Sequence, residues 1–73
     1  MSDWLSDLEI AIRHIAEGEI KVARQRELVA WLERGGHSTD QAEKLLKLLE
    51  NIVREMFKHK EVLEAEIQVR VAG

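Results

Sequence analysis

The sequence contains neither cysteine nor proline. The absence of cysteine excludes a disulfide framework and a thiolate metal site. The absence of proline removes the residue that most strongly breaks helices, because proline lacks a backbone donor and clashes with the preceding turn. Charged residues make up 34% and hydrophobic residues 45% of the 73 positions. This composition is typical of a folded, highly helical chain and not of a disordered one.

Long apolar runs are also missing. The longest, residues 28–32, has five members, whereas a membrane-spanning helix needs about 20. The first residues include Asp3 and no base, whereas a secretory signal begins with basic residues. We therefore expect a cytoplasmic protein with no membrane partner.

A surplus of basic charge is absent as well. Seven acidic and five basic residues precede Ser38, and seven acidic and six basic residues follow it, for a net charge of −3. Nucleic-acid binding normally requires a concentrated basic surface that displaces counterions from phosphates. The interleaved charges predict no nucleic-acid partner.

The apolar residues that are present recur at helical spacing on both sides of one short break, Gly35-Gly36-His37-Ser38. This pattern predicts a single all-α domain over 1–73, folded as a two-helix antiparallel hairpin. We expect helices over about 3–34 and 39–67, a turn over 35–38 and a frayed tail over 68–73. Ser2 or Asp3 is expected to cap the first helix, Gly35 to end it in the left-handed conformation, and Ser38 or Thr39 to begin the second.

The first helix carries a stripe of mostly apolar residues with alternating steps of four and three, the spacing of a coiled coil. Its members are Trp4, Leu8, Ala11, Ile15, Gly18, Val22, Gln25, Val29 and Leu32. Gly18 is unfavourable inside a helix, so we expect it, with Ala11, to permit close helix packing. Trp4 and Trp31 are expected to act as core or interface anchors.

The second helix has more apolar residues than one stripe can hold. We predict that Leu45, Leu49, Ile52, Met56 and Leu63 face the first helix. Leu46, Val53 and Phe57 would then point away from it and form a second interface. Because a lone hairpin would expose this surface, we expect a homodimer, formed as a four-helix bundle. If the chain folds about Gly36, residues whose numbers sum to about 72 lie side by side.

One group of residues resembles a site for chemistry. His14 and Glu17 on the first helix would lie level with His59 and Glu55 on the second. Helical bundles build metal sites from inward-facing glutamate and histidine, but the spacing here is not Glu-x-x-His. We interpret the four residues as structural packing residues and keep a metal site as the alternative. No cofactor is predicted.

Catalytic residues are not indicated either. The hydroxyl residues lie at helix ends, where they are needed to cap backbone amides. No glycine-rich phosphate loop is present, and two helices alone form no enclosed pocket. The sequence does not indicate an enzyme.

Part of the chain, about residues 14–60, resembles a group of short bacterial proteins of unassigned function. The resemblance is carried by His14-Ile15-Ala16-Glu17-Gly18-Glu19, by Val22-Ala23-Arg24-Gln25-Arg26, and by Gly36-His37-Ser38-Thr39 with Ala42 and Leu45-Leu46. Ser38 replaces the acidic residue usual in the group before the turn threonine. The resemblance implies a helical hairpin and no activity.

Three functions fit these patterns. The one we favour is a small interaction or regulatory module that acts through helix–helix association. The alternatives are a metal- or ligand-binding helical bundle and a small acidic inhibitor that docks on a larger protein partner.

Overall fold

The computed structural model describes residues 3–72 and confirms the all-α hairpin. Two helices, α1 (Trp4–Arg34) and α2 (Asp40–Ala72), lie antiparallel in a rod of 58 × 17 × 14 Å. Within the described residues, neither helix has a stretch that is long and apolar enough to cross a membrane. The two helices pack along their whole length, so the molecule is a single layer two helices wide.

The start of α1 is fixed by Asp3, one of the two predicted caps; the other, Ser2, lies outside the described residues. The Asp3 carboxylate accepts hydrogen bonds from the Ser6 hydroxyl at 2.8 Å and from the Ser6 amide at 3.2 Å. These two bonds, the hydroxyl's first, hold the pKa of Asp3 below its ordinary value. The carboxylate also lies at the positive end of the helix dipole, which favours its charge.

The end of α1 corrects one prediction. Gly35 has right-handed dihedral angles, and Gly36 adopts the left-handed conformation with φ of 72°. The His37 amide donates to the Leu32 carbonyl, and the Gly36 amide donates to that of Glu33. This is the Schellman arrangement, in which the residue after the cap takes the positive φ. Since either glycine tolerates that conformation, the sequence could not select between them.

The second helix begins close to the predicted position and continues further than predicted. Its first backbone bond runs from the Glu43 amide to the Thr39 carbonyl, and the Asp40 amide lies 3.5 Å from the Ser38 hydroxyl. We predicted fraying from residue 68, but the helix extends to Ala72. The Arg70 guanidinium lies 4.0 Å from the centre of the Trp4 ring, a cation–π contact that ties this last turn to the start of α1.

The predicted stripe of α1 is confirmed as the surface that packs on α2. All nine members are buried or half-buried, and the alternating steps of four and three therefore hold from one end of the helix to the other. Gln25 is the polar member, and its side-chain amide donates to the Ala42 carbonyl of α2 at 2.9 Å. This bond satisfies a buried polar group and helps to fix the register of the two helices.

The predicted stripe of α2 is wrong in part. Leu46 and Val53, predicted to face away, are half-buried against α1, whereas Leu45 and Ile52 are 45% and 41% exposed. The residues that pack on α1 also alternate by fours and threes, and they are Ala42, Leu46, Leu49, Val53, Met56, Lys60, Leu63 and Ile67. Of the three residues predicted to form a second interface, Leu46 and Val53 therefore pack within the hairpin, and Phe57 is exposed as predicted.

Gly18 lies where the two helices pack closely against each other. It is buried, and a methyl group in place of its hydrogen would lie 2.8 Å from Cγ2 of Val53 and 3.5 Å from Sδ of Met56. These contacts pair residues whose numbers sum to 71 and 74, so the predicted register is confirmed. They also account for a glycine inside an unbroken helix, because the close packing leaves no room for a side chain.

Candidate interaction surface

A two-helix layer has two broad sides, and here they differ in chemistry. We name the side that carries His14 and His59 the histidine face, and the side that carries Arg26 and Glu50 the charged face. His14 and His59 line one groove between the helices, together with Ile52 and Met56. Arg26 and Glu50 line the groove on the opposite side, together with Val22, Val53 and Phe57.

The charged face contains an ion pair between the two helices. The Arg26 guanidinium lies 3.0 Å from the Glu50 carboxylate, and Glu19 and Arg54 line the same groove. Phe57 is 41% exposed on this side. An exposed ion pair of this kind contributes about 0.2–1 kcal/mol, so this face needs no further partner to satisfy its charges.

The histidine face carries more of the large exposed apolar residues than the charged face does. Because the packed residues keep the coiled-coil spacing, positions seven residues apart point in the same direction. This relation places the large exposed apolar residues on one face or the other, except Ile20, which points away from α2. Those on the histidine face are Ile10, Leu28, Trp31, Leu45, Leu48, Ile52, Val62 and Val69, each between 41% and 71% exposed. Those on the charged face are Leu5, Ile12, Phe57 and Val71. Apolar surface is thus concentrated on one side of the hairpin, a pattern that marks interaction sites.

The four predicted metal-ligand candidates are not all brought together. His14, Glu55 and His59 line the groove of the histidine face, and Glu17 is not among its lining residues. Asp7 lies further along the same face, in a groove with His14 and His59. Among residues 3–72, no three histidine or acidic side chains are arranged to hold a metal ion. The geometry places the two histidines as neighbours along one exposed side of the hairpin.

The two tryptophans have different surroundings. Trp4 is half-buried under Arg70 and lines a groove with Val62 and Val69 near the ends of the chain. Trp31 is 60% exposed, and its ring stacks on His37 of the turn with centroids 6.3 Å apart. Trp31 is therefore not the core anchor that one interpretation predicted. The stack holds a large apolar side chain in place at the surface, as an interface anchor requires.

Sequence reasoning missed several residues of the histidine face, chiefly Ile10, Leu48 and Val62, and it placed Ile52 against α1. For the residues of α2, the missed signal is a stripe with alternating steps of four and three residues that includes Lys60. Recognising this stripe as the packed surface leaves the other apolar residues of α2 outside the helix pair. The Lys60 ammonium reaches the Glu64 carboxylate at 3.3 Å while its stem is half-buried. A lysine in this pose covers apolar surface with its methylene groups, and so it belongs to a seam that appears interrupted in the sequence.

Comparison with known proteins does not name a relative. No family model matches the chain, and no curated protein or solved structure matches it significantly.

Proposed function

We propose that the chain is a small interaction module that works by helix–helix association, and that its first partner is a second copy of itself. Two hairpins joined face to face form an antiparallel four-helix bundle, a stable architecture for helices of this length. The observation that carries the proposal is the absence, in the part of the chain described, of any fully buried side chain. One hairpin has a seam but no closed core.

The size of the exposed surface supports association. The accessible surface is 5809 Å² for a chain of 8.4 kDa, whereas a compact monomer of that mass exposes about 4,600 Å². The radius of gyration is 16.9 Å, against about 11 Å for a compact domain of this length. An elongated two-helix layer with this excess surface gains stability by covering one of its sides.

The area of the face suits a dimer. A side of 58 × 17 Å offers roughly 1,000 Å² per copy, and stable protein interfaces bury about 800 Å² on each partner. A second hairpin has the same length and width, so it covers the face without leaving part of it exposed. Regulation by such a module would consist of offering or withholding this surface.

The experiment is a mass measurement in solution. Size-exclusion chromatography with light scattering at micromolar concentration is expected to give about 17 kDa, twice the chain mass of 8.4 kDa. Dilution into the nanomolar range, followed by fluorescence anisotropy of a labelled chain, then gives the dissociation constant. A single species of 8.4 kDa at 100 micromolar would refute self-association.

A further inference from the structure

A row of four residues runs along α1 at intervals of seven: Ile10, Glu17, Arg24 and Trp31. The buried seam keeps the coiled-coil spacing throughout α1, so the members of this row keep one orientation relative to α2. Ile10 lines a groove with His14 and His59, which places the row on the histidine face. All four side chains are exposed.

The chemistry of this row is symmetric under reversal. From the first residue to the last, the order is apolar, acidic, basic, apolar. In the reverse direction the order is apolar, basic, acidic, apolar, so the ends are unchanged and the two charges exchange places. The midpoint falls between Glu17 and Arg24. A second α1 that lies antiparallel across this midpoint therefore sets each acid opposite a base and each apolar residue opposite another.

From this pattern, and resting on the proposed function, we infer that the dimer is antiparallel and is formed by the histidine faces, with α1 against α1 of the second copy. Glu17 of each copy lies opposite Arg24 of the other, and Ile10 lies opposite Trp31. The midpoint of the row is close to the middle of α1, which spans Trp4–Arg34. The two copies therefore overlap over almost their full length.

The second helix fits this arrangement. Val53 contacts Gly18, so its neighbour Ile52 lies close to the level of the same midpoint. Ile52 is 41% exposed on the histidine face, and in the inferred dimer it meets Ile52 of the second copy near the two-fold axis. On α2 the axis then has apolar contact, and on α1 reciprocal charge pairs lie on both sides of it.

Charge exchange tests the arrangement. In a homodimer of Glu17→Arg, the new arginine of each copy lies opposite Arg24 of the other copy. In a homodimer of Arg24→Glu, the new glutamate of each copy lies opposite Glu17 of the other. Each variant is expected to dimerise about tenfold more weakly, because like charges opposed across an interface repel. An equimolar mixture of the two variants pairs opposite charges at both positions, and the double variant in one chain does likewise. Both are expected to regain the wild-type dissociation constant to within about twofold.

A matched control lies on the solvent side of α1. Arg13 and Glu27 are exposed and fourteen residues apart, so they share one direction away from α2. Arg13→Glu and Glu27→Arg make the same charge changes as the test variants and are expected to leave dimerisation unchanged, alone and mixed. Sedimentation equilibrium gives the dissociation constants, and circular dichroism verifies that every variant remains helical.

The outcomes separate this inference from the proposed function. Wild-type chain that stays monomeric overturns both. Wild-type dimer whose affinity is unaffected by Glu17→Arg and Arg24→Glu overturns the antiparallel arrangement and leaves self-association standing. Weakened single variants that do not recover on mixing overturn the arrangement as well, since only reciprocal opposition of the two sites predicts recovery.

Discussion

Replacing Gly18 with leucine is expected to lower the free energy of unfolding by about 2–3 kcal/mol, a cost typical of overpacking a tight interior site. A Cβ at this position already lies 2.8 Å from Cγ2 of Val53, and leucine adds three further carbon atoms in the same direction. The helices must separate to admit them. Leucine's higher helix propensity, worth up to about 1 kcal/mol over glycine, offsets only part of this loss. Urea denaturation followed by circular dichroism measures the change.

Ala16→Leu is the control for Gly18→Leu. Ala16 is exposed on the same helix, so the same side chain is introduced without contact to α2 and stability is expected to change by less than about 0.5 kcal/mol. A second comparison is Gly18→Ala with Val53→Ala. The pair is expected to cost less than the sum of the single changes, since the shorter side chain at 53 vacates the space that the new methyl occupies. Gly18→Leu as stable as the wild type would contradict the close packing.

Replacing Ile52 with lysine is expected to abolish the dimer at micromolar concentration while the helices remain folded. Ile52 lies on the histidine face near the inferred two-fold axis, so each dimer would bury two ammonium groups near each other. Taking charged groups out of water without partners costs several kcal/mol, which corresponds to a loss of affinity of at least about a hundredfold. Light scattering coupled to size exclusion measures the mass directly.

Phe57→Lys provides the matched comparison. Phe57 and Ile52 have the same exposure, 41%, and line opposite grooves of the hairpin. The variant is expected to remain a dimer, because the charged face stays in water. If Phe57→Lys dissociates the protein and Ile52→Lys does not, association occurs through the charged face and our assignment of the interface is wrong.

The fold was predictable from the sequence because its signals are local and mutually consistent. The stripe of α1 has one member for each half-heptad, and Gly36 interrupts the helical pattern where the chain reverses. The cap at Asp3 follows from a carboxylate placed three residues before Ser6, with the bonds that the structure contains. None of these features depends on contacts between distant parts of the chain.

The packing of α2 on α1 was less predictable, because the apolar residues of α2 occupy adjacent rows along the helix. Leu45 and Leu46, and again Ile52 and Val53, are neighbours in sequence, so periodicity alone allows either member of each pair to face α1. The choice depends on long-range contacts, such as the packing of Val53 on Gly18 and the bond from Gln25 to Ala42. Lys60 also interrupts the apolar stripe of α2 that packs on α1. A charged residue in a sequence does not indicate that its methylene groups are half-buried.

The dependence of thermal unfolding on protein concentration tests the central claim, that a second copy covers this hairpin and stabilises it. If folding and dimerisation are coupled, mass action adds about 2.7 kcal/mol for each hundredfold rise in concentration. For a dimer of this size the melting temperature should then rise by roughly 5–10 °C between 1 and 100 micromolar. A melting temperature that is the same at both concentrations, with a mass of 8.4 kDa, would contradict the account.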